Sequence, residues 1–234
     1  MAEFKGFDRN IFTLLEIIKF NDSKNFYESV KEEIKQGAII PMRQLCSDLS
    51  DELFCVDDKM NLIPTKMVSR IRRDTRFSKN KDLYRANVWC MFMRDKQLWQ
   101  RQPCMWFEFY PDNYSYGVGT FRTDSVFLEA FREYLAGHQQ EFRKALTSVS
   151  VTNAFLDIEC FKKDKPGAEH IDEDLKKFYN SKYFYFIYSS PEMEKLIDGS
   201  VKQELIYAIR AFTPLYQFLA NITDKIVAEG ANNK

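Results

Sequence analysis

The densest group of chemically active side chains lies at residues 70–85, which we call the basic segment. It contains seven basic and two acidic residues, a net charge of +5. Guanidinium groups beside hydroxyl and ammonium groups suit a phosphate or carboxylate ligand, because they donate several charge-assisted hydrogen bonds in a fixed geometry. The residues expected to contact such an anion are Arg70, Arg73, Arg76, Ser78, Lys79, Lys81 and Arg85.

Two interpretations of the basic segment remain open from the sequence. Three charge-assisted hydrogen bonds contribute ~5 to 9 kcal/mol, which is comparable with the ~4 to 15 kcal/mol cost of association, so anion binding is feasible. Alternatively, these cations pair with carboxylates such as Asp74, Asp82 and Glu108 in a solvated structural network. In the first case Asp74, Tyr84 and Glu108 are the candidate catalytic residues, which would orient a ligand or exchange protons.

The composition restricts the partners and cofactors that we expect. Lys plus Arg and Asp plus Glu number 34 each, so no global field attracts the chain to nucleic acid or to an anionic membrane. We therefore expect a small anionic ligand and no nucleic acid. The two histidines and five cysteines include no CxxC pair, so we expect no metal site, no cofactor and no disulfide framework. The cysteines are predicted to be reduced thiols in the core.

The apolar runs also bear on location. The longest of them, at 88–93 and 183–188, are far shorter than the ~18 residues that a membrane-spanning helix needs, so no membrane segment is expected. The amino terminus lacks the basic start and apolar stretch of a secretory signal. We therefore expect a cytoplasmic protein, and the sequence does not indicate its oligomeric state.

The elements that must position the basic segment follow from apolar periodicity. Helical spacing occurs over 8–54, and a helix break is predicted at 21–23. Gly37 and Pro41 predict a further boundary, with Pro41 acceptable in the first turn of a third helix. In the block 60–122, short stretches rich in Val, Phe, Trp and Tyr alternate with polar turns. This pattern predicts antiparallel strands at 66–73, 87–94, 103–110 and 114–122.

Helical spacing returns over 124–229, with one further candidate strand at 183–188. Pro214 is expected to kink or split the last helix, with Thr213 as a cap. Together, these patterns predict a single α+β domain over 1–234, in which helices from both ends of the chain cover an antiparallel sheet of at least four strands. Gly117 and Gly119 are interpreted as strand glycines that allow close packing, because no helix follows them.

The basic segment also resembles a known family. The run Arg70-Ile71-x-Arg73-Asp74-Thr75-Arg76-Phe77-Ser78-Lys79-x-Lys81-x-x-Tyr84-Arg85 is similar to the signature of the bacterial and fungal family of unknown function DUF2461. The stretches 20–27, 106–111 and 117–119 resemble other parts of that family, and the resemblance extends from about residue 7 to 219. Asn80 and Leu83 depart from the usual Asp and Pro. The resemblance implies a shared α+β domain with a basic motif and no established activity.

Two classes of function are compatible with these observations. The first is a binding protein or enzyme for a small anionic metabolite that uses the basic segment. The alternative is a non-enzymatic interaction module that docks an acidic protein segment or a nucleic-acid backbone on the same residues. A pocket beside the basic segment favours the first class, whereas a flat face favours the second. Whether the protein is an enzyme stays open.

Overall fold

The computed structural model describes residues 2–76, 79 and 81–232, and five strands in these ranges form one sheet. The strands are β1 Val88–Phe92, β2 Cys104–Phe109, β3 Tyr114–Gly119, β4 Phe155–Cys160 and β5 Ser181–Ser190. Their order across the sheet is β1-β2-β3-β5-β4, and each neighbouring pair is antiparallel. The predicted α+β class with an antiparallel sheet of at least four strands is confirmed.

Helices precede and follow the first three strands, as predicted. The amino-terminal helices are α1 Asn10–Phe20, α2 Lys24–Ile34, α3 Ile40–Asp48, α4 Ser50–Val56 and the short α5 Pro64–Met67. The later helices are α6 Ser125–Gly137, α7 Gln139–Ser150, α8 Lys176–Tyr179, α9 Glu194–Ile197 and α10 Val201–Asn232. None of these described helices combines the length and the apolar character that a membrane crossing requires.

The sheet buries one face against the main core, and the alternation of side chains explains why. Cys90, Phe107 and Tyr116 lie side by side on β1, β2 and β3 and all belong to this core. Trp106, one residue away on β2, points to the opposite face, where it belongs to a smaller cluster. The period of two along a strand therefore separates the two faces of the sheet.

The two glycines of β3 permit close packing. A Cβ atom at Gly117 would collide with the Trp106 ring and with the carbonyl oxygen of Phe186. At Gly119 the φ angle of 155° lies at the edge of the region that favours glycine, and a Cβ atom there would lie 2.5 Å from Tyr185. The interpretation of these residues as strand glycines is confirmed.

The predicted strand at 66–73 is wrong. Pro64 begins the one-turn helix α5 there, as proline favours a first helical position. Beyond it, the stretch makes two isolated bridges, Val68 with Cys90 and Arg72 with Tyr84.

β4 lies within the block predicted to be helical and was missed. Its sequence alternates apolar and acidic residues over only six positions, and the helical spacing of α7 ends immediately before it. Among the described strands, β4 pairs only with β5, so it forms an edge of the sheet. Phe155 is 74% exposed there, Asp157 accepts a hydrogen bond from the Tyr185 hydroxyl at 2.7 Å, and Glu159 binds Lys182.

The predicted split of the last helix at Pro214 is also wrong. α10 continues through Pro214, and the Thr213 hydroxyl donates to the Ile209 carbonyl oxygen at 2.8 Å rather than capping a new helix. A proline inside a helix costs ~3 kcal/mol. Burial of the residues that follow, among them Leu215, Tyr216 and Leu219, offsets this cost.

The five cysteines are all free thiols, but they do not all lie in the core. Cys46, Cys90 and Cys104 are buried as predicted, and burial raises the pKa of Cys104 to about 12. Cys55 and Cys160 are exposed, so the prediction is wrong for these two. Cys55 lies on the solvent side of α4, and Cys160 ends the edge strand β4.

A mostly buried ion-pair network joins β1 to both helical regions. Arg94, two residues after β1, donates from Nε to Asp57 at 2.6 Å and from Nη1 to Asp224 of α10 at 2.6 Å. The side chains of Arg94 and Asp57 are only 10% and 5% exposed. The Tyr216 hydroxyl also donates to Asp57, and Lys59 pairs with Asp224.

Arg94→Met should destabilise the fold strongly, because it leaves Asp57 buried without its cation. Removal of one partner from a buried pair costs about 3 to 5 kcal/mol of unfolding free energy. Urea unfolding at pH 7 measures this loss. The matched control is Arg9→Met, which breaks an exposed pair with Glu194 and should leave the midpoint nearly unchanged. Equal midpoints for the two variants would contradict the prediction.

The same network predicts acid sensitivity. Burial raises the pKa of Asp224, but hydrogen bonds from Arg94 and Lys59 outweigh burial and hold this pKa below its ordinary 3.8. A carboxyl whose pKa is depressed by folding stabilises the fold above its unfolded pKa, and this contribution is lost as the pH falls through the folded pKa. Below about pH 4, wild type should therefore lose more stability than Asp224→Asn. Urea midpoints of the two proteins, measured between about pH 3 and 6, test this. If the midpoints of wild type and Asp224→Asn fall in parallel with pH, the prediction is refuted.

Candidate functional site

The basic segment folds back on itself as an irregular hairpin. The backbone N–H of Arg73 donates to the Leu83 carbonyl oxygen at 2.8 Å, and the N–H of Arg85 donates to Ile71 at 2.9 Å. The bridge between residues 72 and 84 lies between these bonds. The hairpin therefore brings residues 71–73 beside 83–85, and the paired residues are 10 to 14 positions apart in the sequence.

Asp22 attaches this hairpin to the turn between α1 and α2. Its Oδ2 accepts a hydrogen bond from the Leu83 N–H at 2.7 Å, and its Oδ1 accepts one from the Tyr84 N–H at 2.9 Å. The Tyr84 ring stacks on the Tyr27 ring of α2, with centroids 4.2 Å apart. Ser23 caps α2, so this turn both ends one helix, as predicted, and holds the basic segment in place.

A cleft of about 450 Å³ lies between the α1–α2 turn, the hairpin and the β2–β3 turn. This volume falls within the range typical of small-molecule sites. Of the predicted site residues, Arg73, Tyr84 and Arg85 line this cleft. Tyr84 is buried and stacked, so it forms a wall of the cleft rather than an exposed proton donor.

Arg73 and Arg85 bring two guanidinium groups to this cleft. Burial, followed by repulsion from Arg73, lowers the pKa of Arg85. Arg85 donates from Nη1 to the Arg70 carbonyl oxygen at 2.8 Å and lies over the Trp89 ring. Within the described ranges, neither Arg73 nor Arg85 forms an ion pair with a carboxylate. Their positive charge is therefore available to a ligand.

Asp74 and Arg76 satisfy each other instead. Arg76 donates from Nε and Nη2 to the two carboxylate oxygens of Asp74, at 2.9 and 2.7 Å. The side-chain hydrogen bonds from Arg76, assisted by its backbone N–H, lower the pKa of Asp74 to about 2. An aspartate held ionised in this way is a weak proton acceptor at neutral pH. Asp74 and Arg76 therefore fit the alternative interpretation, in which cations of the basic segment pair with carboxylates in a structural network.

The remaining predicted ligand residues are not among the described residues that line the cleft. Arg70, Lys79 and Lys81 are exposed, and Lys81 donates to the Thr75 carbonyl oxygen at 3.0 Å. Ser78, with its neighbours Phe77 and Asn80, lies outside the described residues, so the role of Ser78 stays a prediction.

Glu108 is bound by neutral donors rather than by an arginine. Its Oε2 accepts from the Asn87 amide at 2.9 Å and from the Tyr110 hydroxyl at 3.2 Å, and its Oε1 accepts from the Ser115 hydroxyl at 3.0 Å. Asn87 and Tyr110 line the cleft, as does Asp112. Glu108 therefore lies immediately beside the cleft, with its negative charge uncompensated by any cation in the described chain.

A larger cleft of about 660 Å³ lies between α4, α7 and α10, with Arg94 among its lining residues. Because Asp57 and Asp224 already bind the Arg94 guanidinium, that group has few donors left for a ligand. Neither cleft holds a metal-binding cluster: no three His, Cys, Asp or Glu side chains of the described residues lie together in a suitable arrangement.

The family model described as "Conserved hypothetical protein (DUF2461)" matches residues 10–218. The chain belongs to the DUF2461 family. The match contains the whole basic segment and every described residue that lines the smaller cleft. A comparison with the curated proteins finds no match. The DUF2461 domain thus includes the candidate site, while the description of the family assigns it no activity.

Several residues of the cleft were not identified from the sequence. Lys19 and Asn87 line it together with Tyr110, although none of them belongs to the basic segment. Tyr110 lies two positions after Glu108 in the stretch predicted as a strand, and residues two apart in a strand point to the same face, which is the signal that connects them. No local pattern distinguishes Lys19 or Asn87 from other polar residues at element ends.

Asp22→Ala should release the basic segment from the helical turn. It leaves two backbone N–H groups without an acceptor, which costs about 1 to 3 kcal/mol for each group that stays buried. We expect faster hydrogen exchange at the amides of residues 83 and 84. The matched control is Asp8→Ala, which removes a carboxylate that, among the described residues, accepts a hydrogen bond only from the Asn10 backbone N–H. Unchanged protection at 83 and 84 in Asp22→Ala would contradict this role.

Proposed function

We propose that the protein binds a small anionic metabolite, bearing a phosphate or carboxylate group, in the cleft lined by Arg73 and Arg85. The observation that carries this proposal is that one cleft is lined by two mutually repelling arginines that form no ion pair with a carboxylate in the described chain. An anion placed between them would relieve their mutual repulsion and accept charge-assisted hydrogen bonds. Arg76 is not part of this proposal, because Asp74 binds it.

The cleft favours this proposal over the alternative of an interaction module. An acidic protein segment or a nucleic-acid backbone needs an extended, accessible surface, whereas a compact anion needs a concave site. Acidic residues also line the cleft, among them Glu16, Asp82 and Asp112, and they would repel a polyanion. We further propose a cytoplasmic location, as the sequence suggested. The proposed anion site is the same whether the protein only binds the metabolite or also acts on it as an enzyme.

Arg73→Gln should weaken the binding of a small anion with little effect on stability. The loss of its charge-assisted hydrogen bonds is worth about 1.5 to 3 kcal/mol, or about 10- to 100-fold in Kd. Titration calorimetry with inorganic phosphate and citrate measures this, with thermal unfolding as the fold control. Arg70→Gln is the matched variant, since Arg70 is an exposed arginine of the same segment outside the cleft.

A parallel titration with a short duplex and a single strand at physiological salt tests the alternative. Submicromolar binding of nucleic acid with a steep salt dependence, together with no response to small anions, would favour the interaction module. Equal effects of Arg70→Gln and Arg73→Gln on phosphate binding would also count against the cleft.

A further inference from the structure

The wall of the cleft formed by the start of β1 and the β2–β3 turn differs in chemistry from the hairpin wall. Arg73 and Arg85 of the hairpin offer only hydrogen-bond donors. The other wall contains Asn87, Tyr110 and Asp112. What these three side chains present to a ligand depends on Glu108 beside them.

Glu108 determines the direction of the hydrogen bonds on that wall. An ionised carboxylate accepts only, so the Tyr110 hydroxyl and the Asn87 amide must both donate to it. Tyrosine has one hydroxyl proton, and therefore the Tyr110 oxygen can only accept a further hydrogen bond. Burial, together with the charge of Glu108, raises the pKa of Tyr110 to about 12, so this proton stays in place at neutral pH.

The remaining groups of this wall also offer acceptors to a ligand. The Asn87 side chain directs its Nδ2 to Glu108, and its Oδ1 accepts no hydrogen bond from the described residues. Asp112 is exposed, and its Oδ1 accepts from the Asn113 amide at 2.7 Å. In the described part of the chain, neither Asp112 nor Glu108 forms an ion pair with a lysine or arginine.

We infer that the ligand of this cleft is zwitterionic: a small molecule that joins an anionic group, held by Arg73 and Arg85, to an ammonium group, held by the acceptor wall of Asn87, Tyr110 and Asp112. This inference rests on the proposed function, because it takes the anionic group to bind at the two arginines. An ammonium group has three donors and one positive charge, which match the acceptors of that wall, the carboxylate of Asp112 and the negative charge of Glu108 beside it.

The test compares two ligands of nearly the same shape. 2-Aminoethyl phosphate carries an ammonium group where propyl phosphate carries a methyl group, and both carry the phosphate. Calorimetry at pH 7.5 should give 2-aminoethyl phosphate a Kd lower by about tenfold or more, the value of one charge-assisted hydrogen bond. Inorganic phosphate, titrated in parallel, reports on the anion site alone.

Variants on the acceptor wall should remove this preference while the binding of propyl phosphate persists. Asp112→Asn is the first choice, because Asp112 is exposed and the change is isosteric. Glu108→Gln is the second, with thermal unfolding as its fold control. Asp51→Asn, on the exposed surface of α4, is the matched control and should keep the full preference.

The outcomes separate this inference from the proposed function. If both alkyl phosphates bind equally well and Arg73→Gln weakens both, the anion site stands and the zwitterionic ligand is refuted. If neither compound nor inorganic phosphate binds, both proposals fail. A preference that survives in Asp112→Asn and in a folded Glu108→Gln would also overturn the role of the acceptor wall.

Discussion

The carboxylate of Asp22 is the contact on which the candidate site depends. It accepts hydrogen bonds from two consecutive backbone N–H groups, those of Leu83 and Tyr84, across 61 and 62 positions of sequence. This pair of bonds brings the end of the basic segment against the α1–α2 turn, and the stacked rings of Tyr27 and Tyr84 fill the space beside it. Without Asp22 the hairpin would lose its hydrogen bonds to the α1–α2 turn, and two walls of the cleft would no longer be joined by them.

The cations of the basic segment differ in what they can do, although the sequence makes them look alike. Arg76 has its carboxylate two residues away in Asp74, so local pairing occupies it. Arg73 and Arg85 are on the two paired stretches of the hairpin, and the tertiary fold directs them to a common cleft. A charged segment can therefore be partly a structural network and partly a binding site, and the two interpretations apply to different residues.

The sequence predicted the class of the fold because its signals are local. The strand patterns at 103–110 and 114–122 and the helical spacing after 124 each depend on neighbouring residues, and the structure has β2, β3 and α6 in these stretches. The strand predicted at 66–73 is absent. In its place the chain has the end of the one-turn helix that starts at Pro64, followed by two isolated β-bridges. β4 was missed because a short edge strand has a weak pattern. The helix α10 continues through Pro214 because the residues around it pack in the core, and a local sequence pattern does not show this packing.

The site was predictable to a lesser extent for the same reason. The basic segment is visible in the sequence as a cluster of charge. That Arg73 lines the cleft while Arg76 pairs with Asp74 is known only once the register of the hairpin is known. Asn87 and Lys19 reach the cleft only through the arrangement of three separate elements. Asp22 was identified as part of a helix break, whereas its contact with residues 83 and 84 is a long-range feature.

The edge strand β4 has a consequence for how copies of this protein meet. An unpaired edge is a template on which another strand can add. On β4, however, Asp157 and Glu159 point to the same face, two residues apart. If a second copy added its own β4 in the antiparallel direction with nearly complete overlap, acidic side chains would oppose acidic side chains across the new seam. The acidic side chains of this edge therefore oppose the pairing of two β4 strands into a dimer, although Lys182 offsets part of the charge of Glu159.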